Sequence, residues 1–185
     1  NVTLVGVISI DQQLYNDDFR SSEKAFDLLK QVVGRSGRGD FKGKAVIQTM
    51  LPDNDIITLA SEQNYEGFFE MENVIRKAMI YPPYCDICSL TFISENFSKC
   101  SSSANRFFEM LKASVSGEFS DVKVNVLGPI QPKVSKINNK YRNIITIKCK
   151  NNKRFRSMIS SLLVSFMKDK MNSGVSVTTD LNPLS

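Results

Sequence analysis

The chain has 185 residues, of which 42% are hydrophobic and 23% charged, with a net charge of +5; that is enough apolar material for a true core, and a basic excess that suits phosphate backbones or an acidic protein tail without proving either. It contains no histidine, which removes the commonest general base and the commonest neutral metal ligand from its chemistry. No run approaches the roughly 18 consecutive apolar residues of a membrane span, so a cytoplasmic protein is expected.

Residues 2–10 are nearly all apolar or β-branched, the pattern of a strand covered on both faces of a parallel α/β sheet. The chain enters this strand at once and without an initiator methionine, as a segment cut from a larger fold would. A helix capped by Asp18 is expected next, with Ala25, Leu28, Leu29, Val32 and Val33 at i, i+3, i+4, i+7 and i+8 and Gly34 ending it. The following residues are too glycine-rich for a helix and lead through Gly43 into a strand over 44–51. Pro52 and Asp53 open a helical region that runs to about residue 79, with a soft break at Gly67 and Glu72 spaced to pair with Arg76. Tyr81-Pro82-Pro83-Tyr84 stops it, because proline cannot donate and pushes its predecessor into extended backbone.

From residue 88 the pattern becomes strand 88–94, helix 97–115, strand 122–127 closed by Gly128-Pro129, strand 143–149, helix from Asn151 or Asn152, and strand 175–179. The last helix carries Phe155, Met158, Ile159, Leu162, Leu163, Phe166 and Met167 on one stripe. The first carries Ala104, Phe107, Phe108, Leu111 and Val115, and both stripes have the spacing of helices packed on a sheet. The order βαββαβ predicts a ferredoxin-like α+β sandwich with both helices on one face. The expected division is 1–51, the end of an α/β lobe; 52–84, a helical connector; and 85–185, the sandwich.

Of the four cysteines, only Cys85 and Cys88 stand at a metal-like spacing, while Cys100 and Cys149 lie apart. Reduced thiols are expected rather than a zinc site, and no metal ligand is assigned.

One segment carries chemistry: Gln31-Val32-Val33-Gly34-Arg35-Ser36-Gly37-Arg38. Glycines there let the backbone bend, and two arginines three apart present planar, permanently charged forks that match phosphate oxygens. On residue types alone, an anion clamp and an ordinary glycine-arginine surface loop both remain open. A second basic group comprises Lys133, Lys136, Lys140 and Arg142 around Tyr141, with Lys153, Arg154 and Arg156 at the start of the last helix. It suits phosphate contacts with base stacking on Tyr141, or simply a solvated hairpin and helix face.

The full stretch from Gln31 to Arg38 resembles motif VI of superfamily 2 helicases. Asn64-Tyr65-Glu66-Gly67-Phe68-Phe69, Tyr81-Pro82-Pro83-Tyr84, Leu127-Gly128-Pro129, Tyr141-Arg142 and Asp180-Leu181-Asn182-Pro183 resemble the C-terminal region of the bacterial primosomal replication-restart helicases. The likeness spans essentially the whole chain, starting just after motif V, and branch-migration helicases share the motif but not the following domain.

The resemblance implies the tail of a RecA-like parallel α/β helicase lobe followed by the sandwich, within an ATP-dependent 3′-to-5′ DNA helicase that recognises stalled forks and D-loops, assembles with primosome proteins and loads the replicative helicase to restart replication. It implies Arg38 as arginine finger with Arg35 second, a contribution of about 10³ to 10⁵ in rate where such a finger operates. Gln31 would position the γ-phosphate or attacking water, and Gly34 and Gly37 would border the nucleotide. It further implies ATP, Mg²⁺ and zinc held mostly or wholly by residues upstream of residue 1, so that this chain alone hydrolyses no ATP. The implied partners are fork, D-loop and single-stranded DNA, and the acidic tail of single-stranded DNA-binding protein, the tail near Lys153 to Arg156. A free-standing ferredoxin-like nucleic-acid or ribosome-associated binding module is the competing reading.

Overall fold

The computed structural model describes residues 3–34 and 44–183. They form two compact units that divide between Met79 and Ile80.

In the first unit, strand β1 (Leu4–Val7) is followed by a short helix α1 (Asp11–Leu14), helix α2 (Ser21–Val33), strand β2 (Lys44–Ile47), and helices α3 (Asp55–Ser61) and α4 (Tyr65–Met79). The strands pair parallel, Leu4 opposite Lys44 through Val7 opposite Ile47. Both are shorter than their apolar runs, and neither is buried on both faces: Leu4 is 60% and Val46 48% exposed. The N-cap of α2 is Arg20 rather than Asp18; the Asp18 Oδ1 accepts from the Arg20 N–H, one residue before the helix starts, and its Oδ2 from Lys24 Nζ. The buried stripe of α2 is Ala25, Phe26 and Leu29, whereas Leu28 faces outward. The stripe rotates because α3 and α4 add Ile57, Ala60 and Phe68 on that side, with Phe26 stacked on Phe68 at 4.1 Å.

The segment 52–84, expected as a separate connector, therefore contributes to the first unit's core as far as Met79. Its break lies at Gln63-Asn64 rather than at Gly67. Gln63 has φ +55, and the Asn64 Oδ1 accepts from the Gly67 N–H, which puts Gly67 inside the first turn of α4. The Glu72–Arg76 pair forms at 2.8 Å.

The second unit runs through β3 (Asp86–Ser94), α5 (Phe97–Ser116), β4 (Asn125–Ile130), β5 (Lys136–Ile137), β6 (Lys140–Cys149), α6 (Lys153–Lys168), a 3₁₀ turn (Lys170–Asn172) and β7 (Ser176–Leu181). The sheet order is β4-β6-β3-β7 with every neighbour antiparallel, and β5 extends β6 as a hairpin. Leaving that hairpin aside, the order is that of a split βαβ, ferredoxin-like sandwich, as the element pattern predicts.

Alternation puts Cys88, Leu90 and Phe92 of β3 and Ile145, Ile147 and Cys149 of β6 on one face. Helices α5 and α6 cover it with Cys100, Ala104, Phe107 and Leu111, and with Phe155, Met158, Ile159, Leu162 and Phe166. Phe92, Phe107 and Phe166 meet with ring centroids 5.4 to 5.6 Å apart in tilted and edge-on arrangements, the geometry ring quadrupoles favour. Met167 departs from the predicted stripe and is exposed. Asn152 caps α6 by accepting from the Phe155 N–H, and Asn96 caps α5 by accepting from Lys99 N–H.

Gly128 does not close a strand but sits inside β4, at φ +101, where the register on β6 shifts between Leu127 and Ile130. A Cβ there would meet the Ile144 carbonyl oxygen at 2.7 Å, so the backbone approach itself demands glycine. Among the described residues no helix is long and apolar enough to cross a membrane.

Candidate functional site

Gln31 lies exposed in the last turn of α2 and Gly34 is its C-cap. The Gly34 backbone stays helical, φ −67, with its N–H on the Lys30 carbonyl at 2.9 Å. Arg35, Gly37 and Arg38 lie outside the described residues.

The second basic group does not form one surface. Lys136 and Lys140 flank a hairpin turn at one end of β6, and Lys153, Arg154 and Arg156 begin α6 beyond its other end. Ten residues of extended strand separate the two by roughly 30 Å. The α6 arginines are also engaged internally. Arg154 donates to the Glu118 carbonyl at 2.6 Å and to the Asp121 carboxylate at 3.2 Å, and lies 4.3 Å from the Phe119 ring centre. Asp121 is held below the usual carboxylate range by that hydrogen bond. Arg156 donates to Asn151 Oδ1. Arg142 turns back on its own loop, donating from its guanidinium to Val134 O and from its backbone N–H to Ser135 O, while its Nε is buried without an acceptor. Lys133 precedes that loop.

The hairpin end is different. Asn138 and Asn139 both take positive φ, making a two-residue turn that pairs Ile137 with Lys140. Tyr141 sits opposite Ser94 of β3, and its ring meets Phe97 edge-on at 5.6 Å, while Lys136 Nζ lies 4.9 Å from the Tyr141 ring centre. Next to this pair opens a cleft of about 510 Å³, lined by Ser94, Glu95, Asn96, Lys99, Lys140 and Ser176, among others. The first turn of α5 borders it, so two lysines and the positive end of a 20-residue helix face one opening against the single charge of Glu95. Phe97 is 47% exposed. An exposed aromatic beside convergent cations can stack a base and neutralise phosphates together.

Phe97 and Lys99 are absent from the sequence-level site because more than 40 residues separate them from Tyr141, and only the β3–β6 register joins them. The Asn138-Asn139 pair, flanked by lysines in a polar stretch, was the one local signal for the hairpin.

The cysteines carry no comparable arrangement. Cys88, Cys100 and Cys149 are buried, and Cys85 directs its thiol to the Ile80 carbonyl. Burial pushes the thiol of Cys88 up to about 11, and that of Cys149, which also faces Cys88 and Asp86, up to about 12. Both stay protonated at neutral pH and are poor nucleophiles there. No group of three or more cysteine or carboxylate side chains suited to a metal occurs among the described residues.

The described residues thus define a mixed α/β protein: a parallel two-stranded unit whose main helix is capped by Gly34, followed by a split βαβ, ferredoxin-like domain with a cleft beside its lysine-bearing hairpin. The primosomal protein N C-terminal domain family matches residues 77–184, and this chain belongs to that family. It is 34% identical over 183 residues to the replication restart protein PriA of Bacillus subtilis, covering 99% of this chain and 22% of that protein. The corresponding figures for PriA of Chlamydia muridarum are 32% over 186 residues, 99% and 23%, and for PriA of Synechocystis 31% over 185 residues, 100% and 21%. The chain thus spans about a fifth of the length of these curated relatives. Among solved structures, a dimeric ferredoxin-like protein from an uncultured marine organism is similar at a TM-score of 0.32 and 15% identity, covering 52% of this chain and 92% of that one. A de novo designed protein is similar at 0.37 and 13%, covering 55% and 99%.

Proposed function

We propose that this chain is the C-terminal part of an ATP-dependent 3′-to-5′ DNA helicase that recognises stalled forks and D-loops and restarts replication by primosome assembly. The observation that carries the reading is the stretch Gln31 to Arg38 at the end of α2, in a chain that shares its family with proteins named for replication restart.

In this reading the first unit is the tail of a RecA-like lobe. Its two parallel strands, their half-exposed apolar faces and the outward Leu28 support it, since parallel strands normally have both faces covered. Arg38 is the arginine finger and Arg35 a second cation; each would neutralise charge that develops as the γ-phosphoryl group transfers. Gln31, exposed at the helix end, has an amide able to hold a phosphate oxygen or the attacking water. Gly34 and Gly37 keep side chains away from the nucleotide. ATP supplies the energy for strand separation; the residues that hold its Mg²⁺, and any zinc ligands, belong to the remainder of the longer protein.

The second unit binds DNA, as single-stranded or fork substrates, at the cleft lined by Lys99 and Lys140, with Phe97, Tyr141 and Lys136 stacked beside it. The acidic tail of single-stranded DNA-binding protein is a further proposed partner, at Lys153 and Arg156 at the opposite end of β6.

The test is DNA-dependent ATP hydrolysis by the full-length protein with Arg38→Ala and Arg35→Ala. Loss of at least about 10²-fold in turnover for Arg38→Ala, with fork binding retained, is the expected result. Unchanged turnover would overturn the arginine-finger assignment.

A further inference from the structure

The two edge strands of the second unit's sheet are built differently. β4 carries a register shift on β6 between Leu127 and Ile130, with Gly128 and Pro129 inside it, and proline has no amide hydrogen to offer a neighbour. Bulges and prolines are usual means by which an edge strand refuses a further strand. β7 has neither. Its residues, Ser176 to Leu181, include no proline, glycine or lysine and pair with β3 in unbroken register. Among the described residues no strand pairs with its outer edge. Its single charge, Asp180, stands opposite Ser89, on the sheet face turned away from the helices.

On the helix side of that edge lies an apolar groove of about 290 Å³. Thr179 and Leu181 of β7 form its floor, and Ile159, Leu163, Val164 and Met167 of α6 its wall. Val164 and Met167 are 51% and 70% exposed, although they belong to the helix with the cleanest buried stripe. The stretch of α6 that lines the groove, Arg156 to Met167, is about 16 Å long, the reach of about five residues of extended strand. A strand hydrogen-bonded to β7 would lie about 4.8 Å outside it, with alternate side chains turned toward this wall. Charge adds a direction. No carboxylate lines the groove, and Arg156 stands at one end, donating to the neutral Asn151 Oδ1, whereas Arg154 is already paired with Asp121. Lys168 closes α6 at the other end and Lys170 follows it.

We infer that the outer edge of β7 accepts an extended segment of a partner protein as a further strand beside α6, apolar at alternate positions and carrying carboxylates at the end next to Arg156. Backbone hydrogen bonds to β7 supply the affinity, and the groove selects the side chains. A second copy of this chain fits less well. Two-fold pairing through β7 would set α6 antiparallel to its copy and bring the basic start of one helix toward the basic end of the other. The inference goes beyond the acidic-tail reading above, which uses only charge at the start of α6, and it stands or falls separately.

The probes are fluorescein-labelled octapeptides of alternating valine and threonine with two aspartates at the N- or the C-terminus. They are titrated by anisotropy into the full-length protein and into the 185-residue chain. Each is also made with alternate amides N-methylated, in the two possible phases. The expected result is saturable binding in which one phase of methylation weakens affinity at least about tenfold and the other less than about threefold, because only one phase turns its amides to β7. Val164→Asp and Met167→Asp, at exposed positions, should each weaken binding about tenfold. Arg156→Ala should weaken it about threefold and flatten its salt dependence. Equal loss in both methylation phases, or loss in neither, would overturn the inference, as would the absence of saturable binding. Binding to the 185-residue chain but not to the full-length protein would overturn it too, since the remainder of the longer protein would then cover the edge. A dimeric chain that Val164→Asp renders monomeric would make a second copy the occupant and refute the partner strand. An all-aspartate octapeptide, which has no apolar side chain for the groove, reports the acidic-tail reading on its own.

Discussion

If the cleft beside the β5–β6 hairpin is where single-stranded DNA binds, its two lining lysines must set part of the salt dependence. Lys99 and Lys140 both face the opening. Each phosphate neutralised on a single strand contributes about 0.7 to the slope of log K against log salt, so the double variant Lys99→Ala, Lys140→Ala should flatten that slope by about 1.4. Phe97 presents about half its surface to solvent, and a stacked base is worth about 1–3 kcal/mol, so Phe97→Ala should weaken binding about 5- to 150-fold at fixed salt without changing the slope. Arg154→Ala serves as the control, because that guanidinium is engaged with Glu118, Asp121 and Phe119 at the far end of β6. The assay is fluorescence anisotropy of a labelled oligothymidine with the 185-residue chain, over roughly 50 to 200 mM salt. A slope unchanged in the lysine double variant, or changed equally by Arg154→Ala, would refute the assignment of the cleft.

Three further outcomes follow from packing and hydrogen bonding. Phe107 is fully buried between Phe92 and Phe166, and Phe107→Ala should cost about 3–5 kcal/mol; a fall in Tm of less than about 10 °C would contradict it, since one kcal/mol is about 4–8 °C for a domain of this size. Gly128→Ala should cost about 1–3 kcal/mol or more, because a Cβ meets backbone oxygen at 2.7 Å and φ is +101; a denaturant midpoint equal to wild type would be incompatible with that backbone. The Asp86 carboxylate accepts from Asn182 Nδ2 and the Asn151 N–H and is held below its ordinary value by them. Its stabilisation is complete above the unfolded carboxylate's value near 4 and is lost as pH falls through the lower folded value. Asp86→Asn should therefore lower the urea midpoint at pH 7 and lose that deficit at about pH 2; an equal deficit at both would mean the charge is not what matters.

The second unit was legible in the sequence because its strands and helices carry single, unbroken periodicities. Phe155, Met158, Ile159, Leu162 and Phe166 can bury one face of a helix in only one way. Asn152 announces the start of α6. The first unit was less legible, since its apolar runs exceed what its strands use and its helices share a face that only the tertiary arrangement selects. That is why Phe26 rather than Leu28 is buried, and why α3 and α4 join a core instead of standing as a connector. The break in the helical region was misplaced because Gly67 is the conspicuous residue, while Asn64, whose side chain caps the next helix, is the one that acts.

Charge shows the same division at the level of function. Composition counts Arg142, Arg154 and Arg156 with Lys136 and Lys140 as one basic surface, but a guanidinium is also the best available tie for a loop, with several donors in a fixed plane. Here Arg154 anchors the turn after α5 and Arg142 the loop before β5, so the arginines hold the scaffold. At the hairpin cleft the cations are lysines, whose compact ammonium groups suit a ligand that slides past rather than one held in a single pose. A sequence-tolerant contact to a single strand requires that property, since the phosphates repeat identically while the bases do not.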